Sequence, residues 1–193
     1  MWGDATILQE SYDGLVISLS ADQQDQFRRA VKSAVSNEAL RQAVANLYIA
    51  LQDAIELQRP VCDRSGRCCR FDEYGHKLFV TTAEMAAFLH ELPPASESQI
   101  PIQKSKIPPA CPFQIGGLCS VHPIRPLGCR IFFCDPSATD WQRQQYERFH
   151  RHLRRLHDQW GLPYFYVEWR EAMACVSGES DVLSTENGPA GDE

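Results

Sequence analysis

The sequence predicts an α+β protein in which a small, cysteine-rich, loop-dominated metal-binding core is flanked by N- and C-terminal helices. Three observations predict it. Seven of the eight cysteines fall between Cys62 and Cys134, in a stretch rich in Gly and Pro where regular structure is sparse. Apolar residues recur at helical spacing on both sides of that stretch. Two short runs, His76-Lys77-Leu78-Phe79-Val80 and Tyr164-Phe165-Tyr166-Val167-Glu168-Trp169, read as strands. Along the chain this gives a helical extension over 1–59 and a cysteine-cluster domain over 60–135. A C-terminal helix and aromatic strand follow over 136–176, then a disordered acidic tail over 177–193.

Ser20-Ala21-Asp22-Gln23 can form a capping box, and Phe27, Val31 and Val35 follow at helical spacing. Ser36, Asn37 and Glu38 offer a fresh N-terminus. In the next helix Leu40, Val44, Leu47, Leu51 and Ile55 form an apolar stripe, expected to pack on the domain rather than on a second copy, and Pro60 stops it. Thr81-Thr82-Ala83-Glu84 is a second capping box, opening a helix through Leu92 that Pro93-Pro94 closes. Residues 94–112, with Pro101, Pro108, Pro109 and Pro112, form an extended connector that returns the second group of cysteines toward the first. Thr139-Asp140-Trp141-Gln142 starts the last helix, whose stripe is Phe149, Leu153, Leu156 and Trp160, and Gly161 with Pro163 ends it.

Composition supports an ordinary core: 44% of residues are hydrophobic and 23% charged. The formal charge of -6 is concentrated at the C-terminus, because Ser177 to Glu193 holds five acidic residues and no basic one, leaving about -1 elsewhere. Nucleic-acid binding therefore receives no support from charge. No apolar run approaches a membrane span, and the N-terminus Met1-Trp2-Gly3-Asp4-Ala5 lacks the basic start of a secretion signal. A cytoplasmic protein with reduced thiols is expected, and a disulfide framework, which belongs to exported proteins, is not.

The thiols form two groups, Cys62, Cys68 and Cys69, then Cys111, Cys119, Cys129 and Cys134. Gly66 and Gly116-Gly117 permit tight backbone paths between them, and Pro112, Pro123 and Pro126 stiffen the loops. Such a density of soft sulfur ligands points to a metal or iron-sulfur site. Paired C-x2-C knuckles and the bacterial ferredoxin spacing are both absent, which disfavours a plain zinc ribbon. Adjacent Cys68 and Cys69 can serve one centre only in a turn, since an extended backbone points them to opposite sides. Seven thiols exceed one tetrahedral ion or one four-cysteine cluster, so either two centres exist or some cysteines are not ligands.

Cys62-x-x-Ser65-Gly66-x-Cys68-Cys69, then Cys111-Pro112-Phe113, then Gly117-x-Cys119-Ser120-Val121-His122-Pro123-x-Arg125-Pro126-x-x-Cys129-Arg130, resembles the YkgJ-type cysteine-cluster family. That family is the zinc- or iron-chelating CxxCxxCC domain, with members described as Fe-S cluster proteins and a relation to flagellin lysine N-methylases. The resemblance covers about residues 60 to 135 and implies that Cys62, Cys68, Cys69, Cys111, Cys119, Cys129 and Cys134 are metal ligands. Ser65 stands where the family has cysteine, and His122 where it has tyrosine. Ser65 could ligate through its hydroxyl, Cys175 could replace it, or the site holds fewer ions. The methylase relation implies methyl transfer, but no glycine-rich cofactor loop accompanies it.

Arg64, Arg67, Arg70, Arg125 and Arg130 interleave with the thiols. Guanidinium groups can offset the negative charge of a thiolate centre and hydrogen-bond its sulfurs, so Arg125, held between Pro123 and Pro126, and Arg130 are the expected cofactor-contacting residues. His150, His152 and His157 lie on the last helix and are expected at the surface or in packing. No catalytic residue stands out. The expected role is a metal-binding protein carrying an iron-sulfur cluster or iron, for electron transfer or for modification of a protein partner. The alternative is a zinc-stabilised interaction module without catalysis.

Overall fold

A computed structural model describes residues 19–93 and 107–177. The acidic tail beyond Ser177 and residues 94–106 of the connector lie outside the described residues. The protein is mostly helical with two small antiparallel sheets, an α+β arrangement. Helix α1 (Ala21–Val35) starts at the expected capping box, where the Gln23 backbone N–H donates to Ser20 Oγ at 3.3 Å and the Ser20 N–H donates to Gln23 Oε1 at 2.9 Å. Helix α2 (Glu38–Gln58) is capped by Asn37, whose Oδ1 accepts from the Leu40 N–H at 3.0 Å. Leu40, Val44, Leu47 and Leu51 of its stripe are buried, and Ile55 packs half-buried against the core. Arg59 ends the helix in the left-handed region at φ 53°, just before Pro60.

A one-turn helix, α3 (Phe71–Tyr74), follows the first cysteines, and strand β1 (Phe79–Thr81) leads directly into α4 (Thr82–Glu91). The first strand is thus shorter than its sequence pattern and displaced toward Thr81. Strands β2 (Gln114–Ile115) and β3 (Leu118–Cys119) form a hairpin around Gly116-Gly117, and a short helix, α5 (Leu127–Ile131), carries Cys129. Helix α6 (Thr139–Trp160) buries Phe149 and Leu153, while Trp160 is 37% exposed rather than part of the core. Gly161, at φ 57°, closes it.

The aromatic run after α6 divides. Only Tyr166–Glu168 is a strand, β4, which pairs antiparallel with β1, Val80 opposite Val167. Trp169 begins a further helix, α7 (Trp169–Val176), because the Glu168 carboxylate accepts from the Arg170 and Glu171 N–H groups and turns the chain into a helix. Every residue of α7 is buried. Phe88, Phe113 and Trp169 meet at the centre, with ring centroids 5.2 Å (Phe88–Phe113) and 4.9 Å (Phe88–Trp169) apart. This aromatic contact joins α4, the second cysteine segment and α7 in one core. Among the described residues no helix is long and apolar enough to cross a membrane.

Candidate metal centre

The first cysteine segment turns at Gly66, at φ 69°, into a 3-10 turn over Arg67–Cys69, closed by the Cys69 N–H donating to Gly66 O at 3.1 Å. A side chain at Gly66 would put Cβ 2.3 Å from Gly117 O, so both the backbone conformation and the hairpin's approach require glycine. The Gln114 side-chain amide donates to Gly66 O at 2.9 Å, which fixes the hairpin on this turn. Two backbone bonds lay the second segment beside the first: Cys111 N–H to Cys69 O at 2.7 Å, and Asp72 N–H to Pro109 O at 3.1 Å.

The turn solves the geometric difficulty of adjacent cysteines. Cys68 and Cys69 Sγ are 4.0 Å apart, so both sulfurs reach one place. Interactions with the Cys111, Cys119 and Cys68 thiols, together with burial, drive the Cys69 thiol pKa far up. The same interactions with Cys69 pull Cys68 down to about 7 and Cys119 down to about 6, and lower Cys111. Cys129 is the fifth member: burial raises its thiol pKa, and neighbouring Cys111, Cys119 and Cys68 act on it electrostatically.

Arg125 is the cationic neighbour of this group, favouring the thiolate forms of Cys68, Cys119 and Cys129. Its Nε donates to His122 O at 3.0 Å. Arg130, also expected beside the thiols, interacts electrostatically with the Cys129 thiol. Its Nε donates to Arg125 O and its Nη2 to Pro123 O, both at 2.6 Å, and its guanidinium lies 4.2 Å over the Tyr48 ring. It therefore clamps the turn that presents Arg125. His122 has its pKa lowered by partial burial and by Arg125, Arg130 and Arg64.

Two predicted ligands remain. Cys62 is exposed, and the Cys134 sulfur contacts Ser65 Oγ at 3.7 Å. The Val61 N–H donates to Asp135 Oδ2 at 3.0 Å, holding the chain before Cys62 beside the chain after Cys134. Cys175 is buried on α7 among Ala172, Met173 and Val176 of the core. All eight cysteines are thiols.

Sequence reasoning missed two supports of the site. Arg170, 7% exposed, donates from Nη1 to Asp72 Oδ1 at 2.8 Å and to Pro108 O at 3.0 Å, and from Nε to Glu168 Oε1 at 2.9 Å. It thereby ties α7 to the residues just after Cys69 and just before Cys111. Glu84 is buried, with Oε1 accepting from the Leu127 N–H at 2.8 Å and the Tyr48 hydroxyl at 3.1 Å, and Oε2 accepting from the Thr81 N–H at 2.9 Å. It anchors the start of α5, and hence Cys129, to α2 and α4. The signal available for Arg170 was a run of charge, Glu168 to Glu171, inside an otherwise apolar stretch, since charges in such a setting must be paired.

Among the described residues no group of three or more His, Cys, Asp and Glu side chains is already arranged to hold a metal ion. The chemistry of the donors nevertheless fits a soft metal. Bonds of about 2.3 Å to a tetrahedral ion set its sulfurs about 3.8 Å apart, close to the Cys68–Cys69 separation of 4.0 Å. Metal binding would replace the thiol protons. Comparison with protein-family models, with curated proteins and with solved structures finds no match for the chain.

Proposed function

We propose that this is a metal-binding cysteine-cluster protein in which Cys68, Cys69, Cys111, Cys119 and Cys129 supply the ligands of an iron-sulfur cluster or of iron. Its role is electron transfer or modification of a protein partner. One observation carries the reading: the Cys68 and Cys69 sulfurs lie 4.0 Å apart, and the 2.7 Å bond from the Cys111 N–H to Cys69 O lays the second cysteine segment, some forty residues on, beside them. The resemblance of residues 60 to 135 to the YkgJ-type family supports it, as does the cationic Arg125 beside the thiols. When bound, iron would supply one-electron redox chemistry, and Arg125 would offset the charge of the thiolates. The cytoplasm, where thiols stay reduced, suits such a centre.

A second reading has its own support. The 4.0 Å contact between Cys68 and Cys69 is the spacing of two ligands on a single tetrahedral ion, whereas in a cluster each cysteine commonly binds its own iron. Zinc would then staple the two cysteine segments into an interaction module without catalysis. Anaerobic purification followed by analysis of iron, zinc and acid-labile sulfide separates the two. Brown protein with iron and sulfide is expected. Colourless protein with stoichiometric zinc assigns the structural role, and folded protein that takes up neither metal rejects both.

A further inference from the structure

Between Arg148 and Arg155, helix α6 holds four arginines and no acidic residue. Arg148, Arg151 and Arg155 follow one another at i, i+3 and i+7, so they line one exposed side of the helix, while Phe149 and Leu153 on the other side are buried in the core. Arg154 is turned to the Tyr164 ring, 5.0 Å from its centroid. His152 lies in the same stripe. Its pKa is lowered by partial burial and then by Arg155, Arg148 and Arg151, so it stays neutral among the three cations at pH 7. Like charges three and four residues apart destabilise a helix, and the stripe therefore costs stability unless an anion offsets it. Among the described residues no carboxylate does so. Arg28, Arg70, Arg143 and Arg170 each form an ion pair, whereas Arg148, Arg151 and Arg155 form none. Arg148 Nη1 donates only to a neutral acceptor, Gln145 Oε1, at 3.5 Å.

We propose that the acidic segment 178–193 of this same chain docks on the stripe formed by Arg148, Arg151 and Arg155. Charge complementarity selects this occupant. The segment holds Glu179, Asp181, Glu186, Asp192 and Glu193 and no basic residue, and it follows directly on α7, which ends at Val176. Its reach is sufficient. Sixteen residues span up to about 50 Å when extended, against about 40 Å for the diameter of a compact body of about 150 residues. Exposed ion pairs are individually weak, but a tethered segment has an effective concentration in the millimolar range, so a few such pairs are enough to hold it. A partner presenting an acidic surface to α6 would have to displace it. The inference is independent of any metal at the cysteines.

The test uses the full chain with the photo-crosslinking amino acid p-benzoylphenylalanine in place of Leu183, which lies between Asp181 and Glu186. Irradiation at an ionic strength of about 0.01 M, where the Debye length is about 30 Å, should join the segment to the peptide that carries Arg148 to Arg155. The yield should fall about threefold when Arg148→Gln, Arg151→Gln and Arg155→Gln are combined, the scale expected for losing three exposed pairs. It should fall as far with the arginines intact at about 1 M salt, where the Debye length is about 3 Å, and this arm stands even if the triple variant does not fold. Dilution should leave the yield unchanged, because the contact lies within one chain. Crosslinks that fall elsewhere on the protein, or that persist on α6 in the triple variant and at high salt, overturn the inference. Crosslinks between isotopically heavy and light copies mixed before irradiation would place a second copy's segment on the stripe and overturn docking within the chain.

Discussion

Two sets of thiols, equivalent by sequence pattern, differ in how firmly the fold holds them, although Cys134 of the outer set is half-buried like Cys68, Cys119 and Cys129 of the inner one. Cys69 and Cys111 are 5% and 8% exposed and are held by backbone bonds, a buried arginine and a hairpin that locks onto Gly66. Cys62 is exposed, and the outer group that it forms with Ser65 and Cys134 is joined by a weak 3.7 Å contact and the bond from Val61 to Asp135. The difference separates preorganisation from mere proximity. The inner set has more of its ordering cost met by folding, so a metal there would keep more of its ligand energy than one at the outer set, which any ligand would still have to order.

Ligand removal gives the largest contrast. Cys69→Ala takes away a buried sulfur 4.0 Å from that of Cys68 and should cut metal retention by more than the roughly 10–100-fold typical of losing an outer partner. Cys129→Ala should also lower metal content, and Cys62→Ala should leave it within about threefold of wild type, on the same scale of outer-partner effects. Elemental analysis of the folded, purified variants reads all three. Equal metal content in wild type and Cys69→Ala would erase the distinction between inner and outer sets.

The inner set should also depend on its remote braces. Arg170→Met leaves Glu168 buried without its cation and frees the loop before Cys111. Breaking a buried pair by removing one partner costs about 3–5 kcal/mol, and the exposure of the second carboxylate, Asp72, favours the lower end. Urea unfolding of metal-free protein measures the loss. A change below about 1 kcal/mol, the scale of an exposed pair, would show that Arg170 does not brace the fold.

These braces explain how much could be read in advance. Both capping boxes, the stripe of α2 and the end of α6 at Gly161 were legible, because each is a local pattern with a local cause. Helix α7 was not, since Trp169 to Val176 is only eight residues long, is buried all round and follows the aromatic run without a break. It reads as a continuation of the aromatic strand. The clamp that Arg130 adds was also hidden, because its place beside Cys129 in sequence says nothing of the carbonyls of Pro123 and Arg125 that capture it. The partition of the thiols depends on the 3-10 turn and on the hairpin packed against Gly66, a contact between residues about fifty apart.

Behind the inner set stands a polar aromatic group on α6 and β4, where acid should act. His150 is 4% exposed and shares a 2.9 Å hydrogen bond with the Tyr164 hydroxyl, and its ring stacks on Tyr146, which in turn faces Gly128 beside Cys129. Burial, then Arg154 and His157, depress its pKa to about 4. Histidine in the unfolded chain titrates near 6.5, so the stability this neutral ring contributes is complete above that value. It is lost as the pH falls toward 4. About 2 kcal/mol should disappear across this window in the wild type. His150→Gln should show a flatter dependence between pH 6.5 and 4, measured by urea unfolding at each pH. Parallel curves would mean that His150 does not govern the acid response.

The smallest effect on stability, and the most informative for the outer set, is expected from Ser65→Cys. Ser65 is half-buried, its backbone N–H donates to Asp63 Oδ1 at 3.1 Å, and its hydroxyl already faces Cys134 at 3.7 Å. Exchanging oxygen for sulfur there alters neither the backbone bond nor the turn, so unfolding of the metal-free protein should change by less than about 0.5 kcal/mol. The metal stoichiometry should rise, because a soft third donor would join Cys62 and Cys134 in place of a hydroxyl that soft metals bind poorly. A gain that requires Cys134, and disappears in Ser65→Cys combined with Cys134→Ala, would establish the outer set as a second centre weakened in this chain by one residue. Unchanged stoichiometry would mean that Cys62 and Cys134 are not ligands and that the five inner thiols are the whole of the site.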